Sequence, residues 1–282
     1  MDASGTLLAR ERVATPRRDY AATLDAIAGL VAKLEHVHGA GAPVGIATPG
    51  AISPVSGLLR NSNSVCLNQR PFLRDIENRL QRPVRIANDA DCFALSEAVD
   101  GAGAGARSVF GVIVGTGTGG GLVIDGRLLR GVNAIAGEWG HNPLPWPASH
   151  EVPGEPCYCG KRGCIETWLC GPALEREYRR LSGREADAAA ISVLDAAGDA
   201  AARRVLAEYI DRMARSLATV INLVDPDVIL LGGGMGNIAR LYSDVPARWG
   251  DYVFSDCVNT RLLAPLHGDS SGVRGAAWLW PA

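Results

Sequence analysis

Apolar positions along the first hundred residues form two patterns, a helical spacing and short continuous runs. One set repeats at intervals of four and three residues, the spacing of a single helix face, and consists of Tyr20, Leu24, Ile27, Val31 and Leu34. Short apolar runs closed by Pro, Gly or Asn predict strands around this helix. The first half therefore predicts strands over 6–14, 44–48 and 84–87, and helices over 20–34, from Pro71 to about 80, and from 88 to about 99.

The second half repeats this alternation. A buried strand over 109–114 enters the turn GTGTGGG at 115–121, and a following strand that ends at Asp125-Gly126 predicts a hairpin. Apolar residues at helical spacing over 206–224 predict one long buried helix, with a strand at 228–231 and three glycines after it. The chain is thus predicted to be an α/β protein of two lobes, with ligand sites at the strand ends and a lobe boundary at the Gly/Ala run 101–106.

Composition limits the partners and the compartment. A net charge of -2 gives no reason to expect nucleic acid or an anionic membrane. No stretch of about 18 apolar residues and no basic leader before an apolar run occurs, so neither a membrane span nor a signal peptide is predicted. We therefore expect a cytoplasmic protein, in which seven cysteines favour metal binding or reactive thiols over disulfides.

The cysteines predict a zinc site. Cys157, Cys159 and Cys164 supply three thiolates within one loop, and structural zinc takes four nitrogen or sulfur ligands. Either His141 or His150 could be the fourth. The other cysteines, which we expect in the core, are Cys66, Cys92, Cys170 and Cys257.

Two carboxylates flank this loop. A closed site of four protein ligands has no position for water, so the metal would fix the loop rather than react. Glu138 and Glu166 could then grip the hydroxyls of a polyol through charge-assisted hydrogen bonds, or they could simply be solvated surface acids.

Three further motifs could have either a structural or a functional role. The turn GTGTGGG offers backbone N–H groups to an oxyanion such as a phosphate, but glycine-rich hairpins often bind nothing, and LLGGGMGN has the same ambiguity. No Walker motif is present. Asn88-Asp89 at a strand end is typical of a helix cap.

The order of these motifs along the whole chain resembles the ROK family of bacterial sugar kinases and repressors. The matching segments are Asn61-Ser-Asn63, ANDADC, IVGTGTGGG, AGEWGH, CYCGKRGCIET, DPDVILLGGG and HGDSSGVRGAAWL. Within the family, the chain is most similar to bacterial fructokinases with some mannose activity. The resemblance implies a two-lobed actin-like ATPase (ribonuclease H-like) fold and transfer of the ATP γ-phosphoryl group to a sugar hydroxyl, with Mg²⁺ and a homodimer.

The resemblance also implies roles for individual residues. Asp89 becomes the general base, and His141 rather than His150 becomes the fourth zinc ligand while also touching the sugar. The implied sugar contacts are Gly50, Asn63, Asn88, Asp89, Glu138, His141 and Glu166. The implied ATP contacts are Gly115, Thr116, Gly117, Thr118, Gly119 and Gly120 at the phosphates, and Gly232, Gly233 and Gly234 under the adenosine.

The chain departs from the family pattern at its start. Kinases of the family begin with a strand and an Asp-x-Gly-Gly-Thr turn that this sequence lacks, which implies either a misassigned start or a truncated chain with little activity. The small lobe is expected over 1–102, the large lobe with the zinc loop over 103–269, and a helix over 270–282 that packs back on the small lobe. The alternatives are an N-acetylglucosamine or N-acetylmannosamine kinase, and a sugar-binding protein without turnover. A repressor is disfavoured because it would need a helix-turn-helix before the kinase-like part.

Overall fold

The computed structural model describes residues 1–16 and 18–280 and confirms the alternation of helices and strands. The strands are β1 (Val44–Thr48), β2 (Ala51–Ile52), β3 (Leu59–Arg60), β4 (Val84–Asn88), β5 (Ser108–Val114), β6 (Thr118–Ile124), β7 (Arg127–Leu128), β8 (Val228–Gly232) and β9 (Arg261–Leu263). The helices are α1 (Tyr20–His38), α2 (Phe72–Leu80), α3 (Asp89–Val99), α4 (Glu166–Leu169), α5 (Gly171–Ser182), α6 (Ala188–Ala196), α7 (Ala200–Val224), α8 (Arg240–Asp244) and α9 (Ser271–Ala277).

The strands form three sheets. β1 and β4 pair in parallel, with Thr48 opposite Asn88, and β2 and β3 form a short antiparallel hairpin. The largest sheet has the order β7-β6-β5-β8-β9, in which β5 pairs antiparallel with β6 and parallel with β8. β4 and β5 both run towards the same region, so the first turn of α3 and the β5–β6 turn come to face one cleft.

The main core forms around α7. In its apolar stripe, Leu206, Ile210, Met213 and Leu217 are each at most 1% exposed, and they belong to one core with residues of β5, β8 and the neighbouring helices. A helix buried over this length derives its stability from tertiary packing rather than from intrinsic propensity. In the part of the chain that the structure describes, no helix is both long and apolar enough to cross a membrane.

α3 packs between the sheets and the C-terminal helix. On one side, Gly119 and Gly121 of β6 let it approach, since a Cβ on Gly121 would lie 2.7 Å from the carbonyl oxygen of Ala90. On the other side, a Cβ on Gly275 of α9 would collide with the carbonyl oxygen of Cys92. α3 is therefore fixed from two directions by backbone contact that only glycine permits.

Three predicted elements differ from the structure. Residues 6–14 form no strand, because this segment pairs with no neighbouring strand and leaves Leu7, Leu8 and Val13 exposed. The helix expected over 270–282 is regular only over Ser271–Ala277, which packs on α3 and β1, and residues 281 and 282 lie outside the described chain. The glycine turn is limited to 115–117, since residues from Thr118 onward pair with β5.

Gly275→Ala should lower the free energy of unfolding by about 1–3 kcal/mol, because the methyl group overpacks the contact between α9 and α3. Gly272→Ala in the same helix is the matched control, since no atom lies within 4 Å of the Cβ it adds. The control should be neutral or stabilising by about 0.5–1 kcal/mol. Urea denaturation measures both, and equal effects of the two variants would contradict the packing account.

Candidate functional site

The N-terminus of α3 positions the predicted base. Asn88 caps the helix by accepting a hydrogen bond of 2.9 Å from the backbone N–H of Ala90, and its amide donates to the carbonyl oxygen of Gly50 at 3.2 Å. One carboxylate oxygen of Asp89 also accepts from the N–H of Ala90, at 2.9 Å. Asn88 is thus a helix cap, as predicted, and it also lines the cleft described next.

A cleft of about 1080 Å³ opens in front of Asp89. Its walls contain all the residues predicted to contact the sugar and the phosphates, namely Gly50, Asn63, Asn88, Asp89, Glu138, His141, Glu166, Gly115, Thr116, Gly117, Thr118, Gly119 and Gly120. These residues come from distant parts of the sequence. A concave site with several convergent polar groups is the usual form of a small-molecule site.

The cleft walls shift the acidity of two carboxyl groups. Desolvation raises the pKa of Asp89 above the ordinary value for aspartate, although its side chain remains open to the cleft. Desolvation also raises the pKa of Glu138, against the opposing effect of nearby His141 and together with the negative charges of Glu166 and Asp89. Both groups are thus carboxyls whose proton affinity is increased, as general bases often are.

Glu166 connects the glycine turn to the cysteine loop. One of its carboxylate oxygens accepts a hydrogen bond of 3.0 Å from the backbone N–H of Thr118, and the other lies 4.0 Å from the sulfur of Cys157. Gly117 leaves space for this carboxylate, since a Cβ there would lie 2.7 Å from its oxygen. Glu166 therefore lies in the wall of the cleft rather than on an open surface.

The cysteine loop brings four ligand groups together. The ligand atoms of His141, Cys157, Cys159 and Cys164 all lie within 4.8 Å of one another. The Nδ1 of His141 is 3.5 Å from the sulfur of Cys157, and the sulfurs of Cys159 and Cys164 are 3.6 Å apart. Zn–S bonds of about 2.3 Å in a tetrahedron place two sulfurs about 3.8 Å apart, so the donor types and their spacing fit zinc.

Several predicted residues lie elsewhere. Gly232 ends β8 beside Ile113, and a Cβ on it would touch the ring of Phe93 at 2.6 Å. Gly233 packs on the backbone of Val114, and none of 232–234 lies among the described residues that line the cleft. Gly232 and Gly233 thus allow close packing at the end of β8, whereas no atom lies within 4 Å of a Cβ added to Gly234.

Most of the remaining histidine and cysteine predictions agree with the structure, and one is wrong. His150 is exposed and is absent from the ligand group within the described chain, in agreement with the choice of His141. Cys92 and Cys170 are buried as expected, and Cys66 is half-buried. Cys257 is exposed, so its assignment to the core was wrong.

The sequence analysis missed several cleft residues, of which Tyr158 and Arg60 have the most informative contacts. The hydroxyl of Tyr158 lies 2.9 Å from the Nε2 of His141, and its position between Cys157 and Cys159 was a signal that could have found it. Arg60 lines the opposite wall and donates to the carbonyl oxygen of Asn133 at 2.8 Å. Nothing in the sequence around Arg60 indicates this contact.

A second cleft of about 850 Å³ adjoins the first and shares Gly50, Asn88, Gly120 and Glu138 with it. Asp91, two residues after the predicted base, lines this second cleft. Desolvation, opposed by the charge of Arg130, raises the pKa of Asp91 to about 7. The two aspartates of α3 therefore lie in different surroundings.

Comparison with known proteins shows the family to which the chain belongs. The family model described as the ROK family matches residues 1–282. The chain is 40% identical over 276 residues to N-acetyl-D-glucosamine kinase from Photobacterium profundum, which covers 96% of this chain and 91% of that protein.

Solved structures agree. The ROK hexokinase from Thermus thermophilus has a TM-score of 0.82 at 31% identity, covering 94% of this chain and 87% of that one. A ROK family glucokinase from Streptomyces griseus, in complex with glucose and AMPPNP, has a TM-score of 0.79 at 27% identity, covering 99% and 93%. The predicted actin-like ATPase fold is thereby confirmed. The chain belongs to the ROK family and is a sugar kinase.

Proposed function

We propose that this protein is an ATP-dependent N-acetylhexosamine kinase, with N-acetyl-D-glucosamine as its preferred sugar. The observation that carries the proposal is 40% identity over 96% of the chain to a kinase of that name. This replaces fructose as the expected substrate, because the comparison favours the alternative substrate over the fructokinase reading. The cleft beside Asp89 supports it with polar groups suited to several sugar hydroxyls.

Asp89 would act as the general base. As the sugar oxygen attacks the γ-phosphorus, the hydroxyl proton moves to Asp89, the new O–P bond forms, and the bond to the bridging oxygen of ADP breaks. The raised pKa of Asp89 increases its affinity for this proton. Asn88 fixes the helix start that carries Asp89, through its cap on Ala90 and its hydrogen bond to Gly50.

The turn at 115–117 would receive the phosphates. The N–H of Gly115 is already bonded to the carbonyl oxygen of Gly117 at 2.9 Å, and the carbonyl oxygen of Gly115 accepts from Gly171 at 2.7 Å. The turn is thus held rigid from both sides, and Thr116 at its tip is exposed to the cleft. Mg²⁺ arriving with ATP would offset the phosphate charge, and the carboxylate of Asp89 is within the same cleft.

Zinc would be structural. His141, Cys157, Cys159 and Cys164 would hold it in a closed site, and the metal would fix the loop that carries the sugar-binding wall. If Nδ1 of His141 binds the metal, Nε2 faces Tyr158 and the cleft. The same histidine can then serve both the metal and the sugar.

The lobe boundaries, the cellular location and the oligomeric state are also proposed. We propose lobes over 1–102 and 103–269 with the C-terminal helix packed on the first, a cytoplasmic location where ATP and reduced thiols coexist, and a homodimer. We also propose that Gly232–Gly234 lie under the adenosine, where the space beside Gly234, with no atom within 4 Å of an added Cβ, leaves room for a ligand.

Asp89→Asn should reduce turnover by about a hundredfold or more, the usual contribution of general-base catalysis, while sugar affinity measured by calorimetry changes little. Asp91→Asn is the matched control, because it makes the same change on the same helix but faces the second cleft. This control should keep turnover within about threefold of the wild type. An active Asp89→Asn variant would remove Asp89 from the role of base.

The kinase should prefer N-acetyl-D-glucosamine over fructose by at least about a hundredfold in kcat/KM, because a site built to hydrogen-bond a polar group discriminates strongly against sugars that lack it. A coupled assay of ADP release with matched concentrations of both sugars measures the ratio. A preference for fructose would restore the original expectation and contradict the proposal.

The purified chain should contain about one equivalent of zinc, since one closed four-ligand site is present among the described residues. Removing the metal with a strong chelator should lower the melting temperature, because zinc binding is coupled to folding of the loop. Elemental analysis and a thermal scan measure both quantities. A zinc content well under one equivalent would refute the site.

A further inference from the structure

A buried ion network lies behind the cysteine loop and does not touch the cleft. The carboxylate of Glu151 receives hydrogen bonds of 2.6 Å from Arg212 and 2.8 Å from Arg215. The side chains of these three residues are only 2%, 2% and 5% exposed. Charges this deeply buried are costly unless each has its partners in good geometry.

Arg215 also holds the backbone of the segment that contains Glu151. It donates to the carbonyl oxygens of Pro145 and Trp146 at 2.8 and 2.7 Å, while Glu151 accepts from the N–H of Ala148 at 2.8 Å. The hydrogen bonds of Arg212 and Arg215 therefore join α7 to residues 145–151, and the bond between Ala148 and Glu151 closes the segment on itself. Two arginines of α7 thus hold this segment through its carboxylate and two of its carbonyl oxygens.

The same segment connects two of the proposed zinc ligands. It lies between His141 and Cys157, and the chain on each side of it is paired with residues near Cys164. The N–H of Leu144 donates to the carbonyl oxygen of Gly163 at 2.9 Å. The N–H of Gly163 donates in turn to the carbonyl oxygen of Glu155 at 2.9 Å. A shift of 145–151 would therefore move both the outgoing and the returning chain.

Arg212 adds a second constraint. Its guanidinium lies over the ring of Trp168 at 4.7 Å, and Trp168 belongs to α4, which begins with Glu166. The network thus contacts the structure on both sides of the cysteine loop, since Glu151 precedes Cys157 and α4 follows Cys164. An apolar cluster could pack here with a smaller desolvation cost. It would not, however, bind the two carbonyl oxygens and the one backbone N–H that Arg215 and Glu151 hold.

We propose that Glu151 and Arg215 are positioning residues that preorganise His141 and Cys157 for zinc, and through them the sugar-binding wall. The inference rests on the proposed zinc site. Residues outside the ligand set that orient ligands commonly change metal affinity without contacting the metal. Neither residue touches the sugar or the phosphates, so their effect should appear in zinc affinity and in the KM for the sugar.

The test compares Glu151→Gln with a matched control, Glu35→Gln. Glu35 receives two hydrogen bonds from Arg82, at 2.6 and 2.9 Å, and one from the N–H of Gly41, so it loses the same kind of contacts far from the loop. Zinc affinity is measured by competition with a chromophoric chelator, well below the melting temperature. Glu151→Gln should weaken zinc binding about tenfold or more, while Glu35→Gln matches the wild type.

Kinetics separate positioning from general damage. Glu151→Gln should raise the KM for the sugar and leave the KM for ATP unchanged, and added zinc should restore the wild-type value. If Glu151→Gln does not fold, Arg215→Lys carries the test, because lysine keeps the charge but cannot hold Glu151 and two carbonyl oxygens together.

Two failures are distinguishable. A wild-type chain with well under one zinc equivalent would refute the zinc site and this inference with it. A zinc-loaded wild type whose folded Glu151→Gln and Arg215→Lys variants bind zinc within about twofold of it would overturn the positioning role alone, since outer residues that orient ligands change affinity at least tenfold.

Discussion

The close approach of α3 to β6 is the contact on which the site depends. Gly119 and Gly121 lack the side chains that would separate the helix from the strand, and a Cβ on Gly121 would lie 2.7 Å from the carbonyl oxygen of Ala90. Because the strand turns at 115–117 immediately before this contact, the first residue of α3 comes to face the turn. Asp89 and the proposed phosphate turn thus share one cleft as a result of backbone packing.

The second wall of the cleft depends on a different kind of bond. The cysteine loop is held by backbone pairing of Cys164 with Pro143 and of Arg162 with Pro156, and by the proposed metal ligands. The buried ion network on α7 holds the segment that leads into it. Glu166 joins this wall to the first one through the N–H of Thr118 at 3.0 Å. A rigid wall on each side suits a reaction in which positioning supplies most of the rate.

The sequence predicted which residues share the cleft better than it predicted the edges of the fold. Periodicity identified α1 and α7 correctly because long amphipathic stripes have few alternatives, and the chelating pattern of Cys157, Cys159 and Cys164 admits few other uses. The 6–14 strand was wrong because an apolar run specifies a strand only if a partner strand pairs with it. The role of Gly232 could not be predicted, since close packing and nucleotide binding both call for glycine.

Long-range contacts explain what periodicity could not show. Arg60 reaches Asn133, and Glu151 meets Arg212 and Arg215, across 60 residues or more of sequence. Such pairs leave no local spacing pattern, because their geometry exists only after the elements have packed. The substrate was likewise beyond the local motifs, which are shared by kinases that act on different sugars, and whole-chain identity was needed to favour an N-acetylhexosamine.

The central claim is that the cysteine loop, fixed by zinc, forms the sugar-binding wall of a cleft whose base is Asp89. The most direct measurement is calorimetric titration of N-acetyl-D-glucosamine into the zinc-loaded and the zinc-stripped protein, with a non-hydrolysable ATP analogue titrated in parallel. We expect zinc removal to weaken sugar binding about tenfold or more while nucleotide binding stays within about twofold. Equal sugar affinity in the two forms would contradict the account.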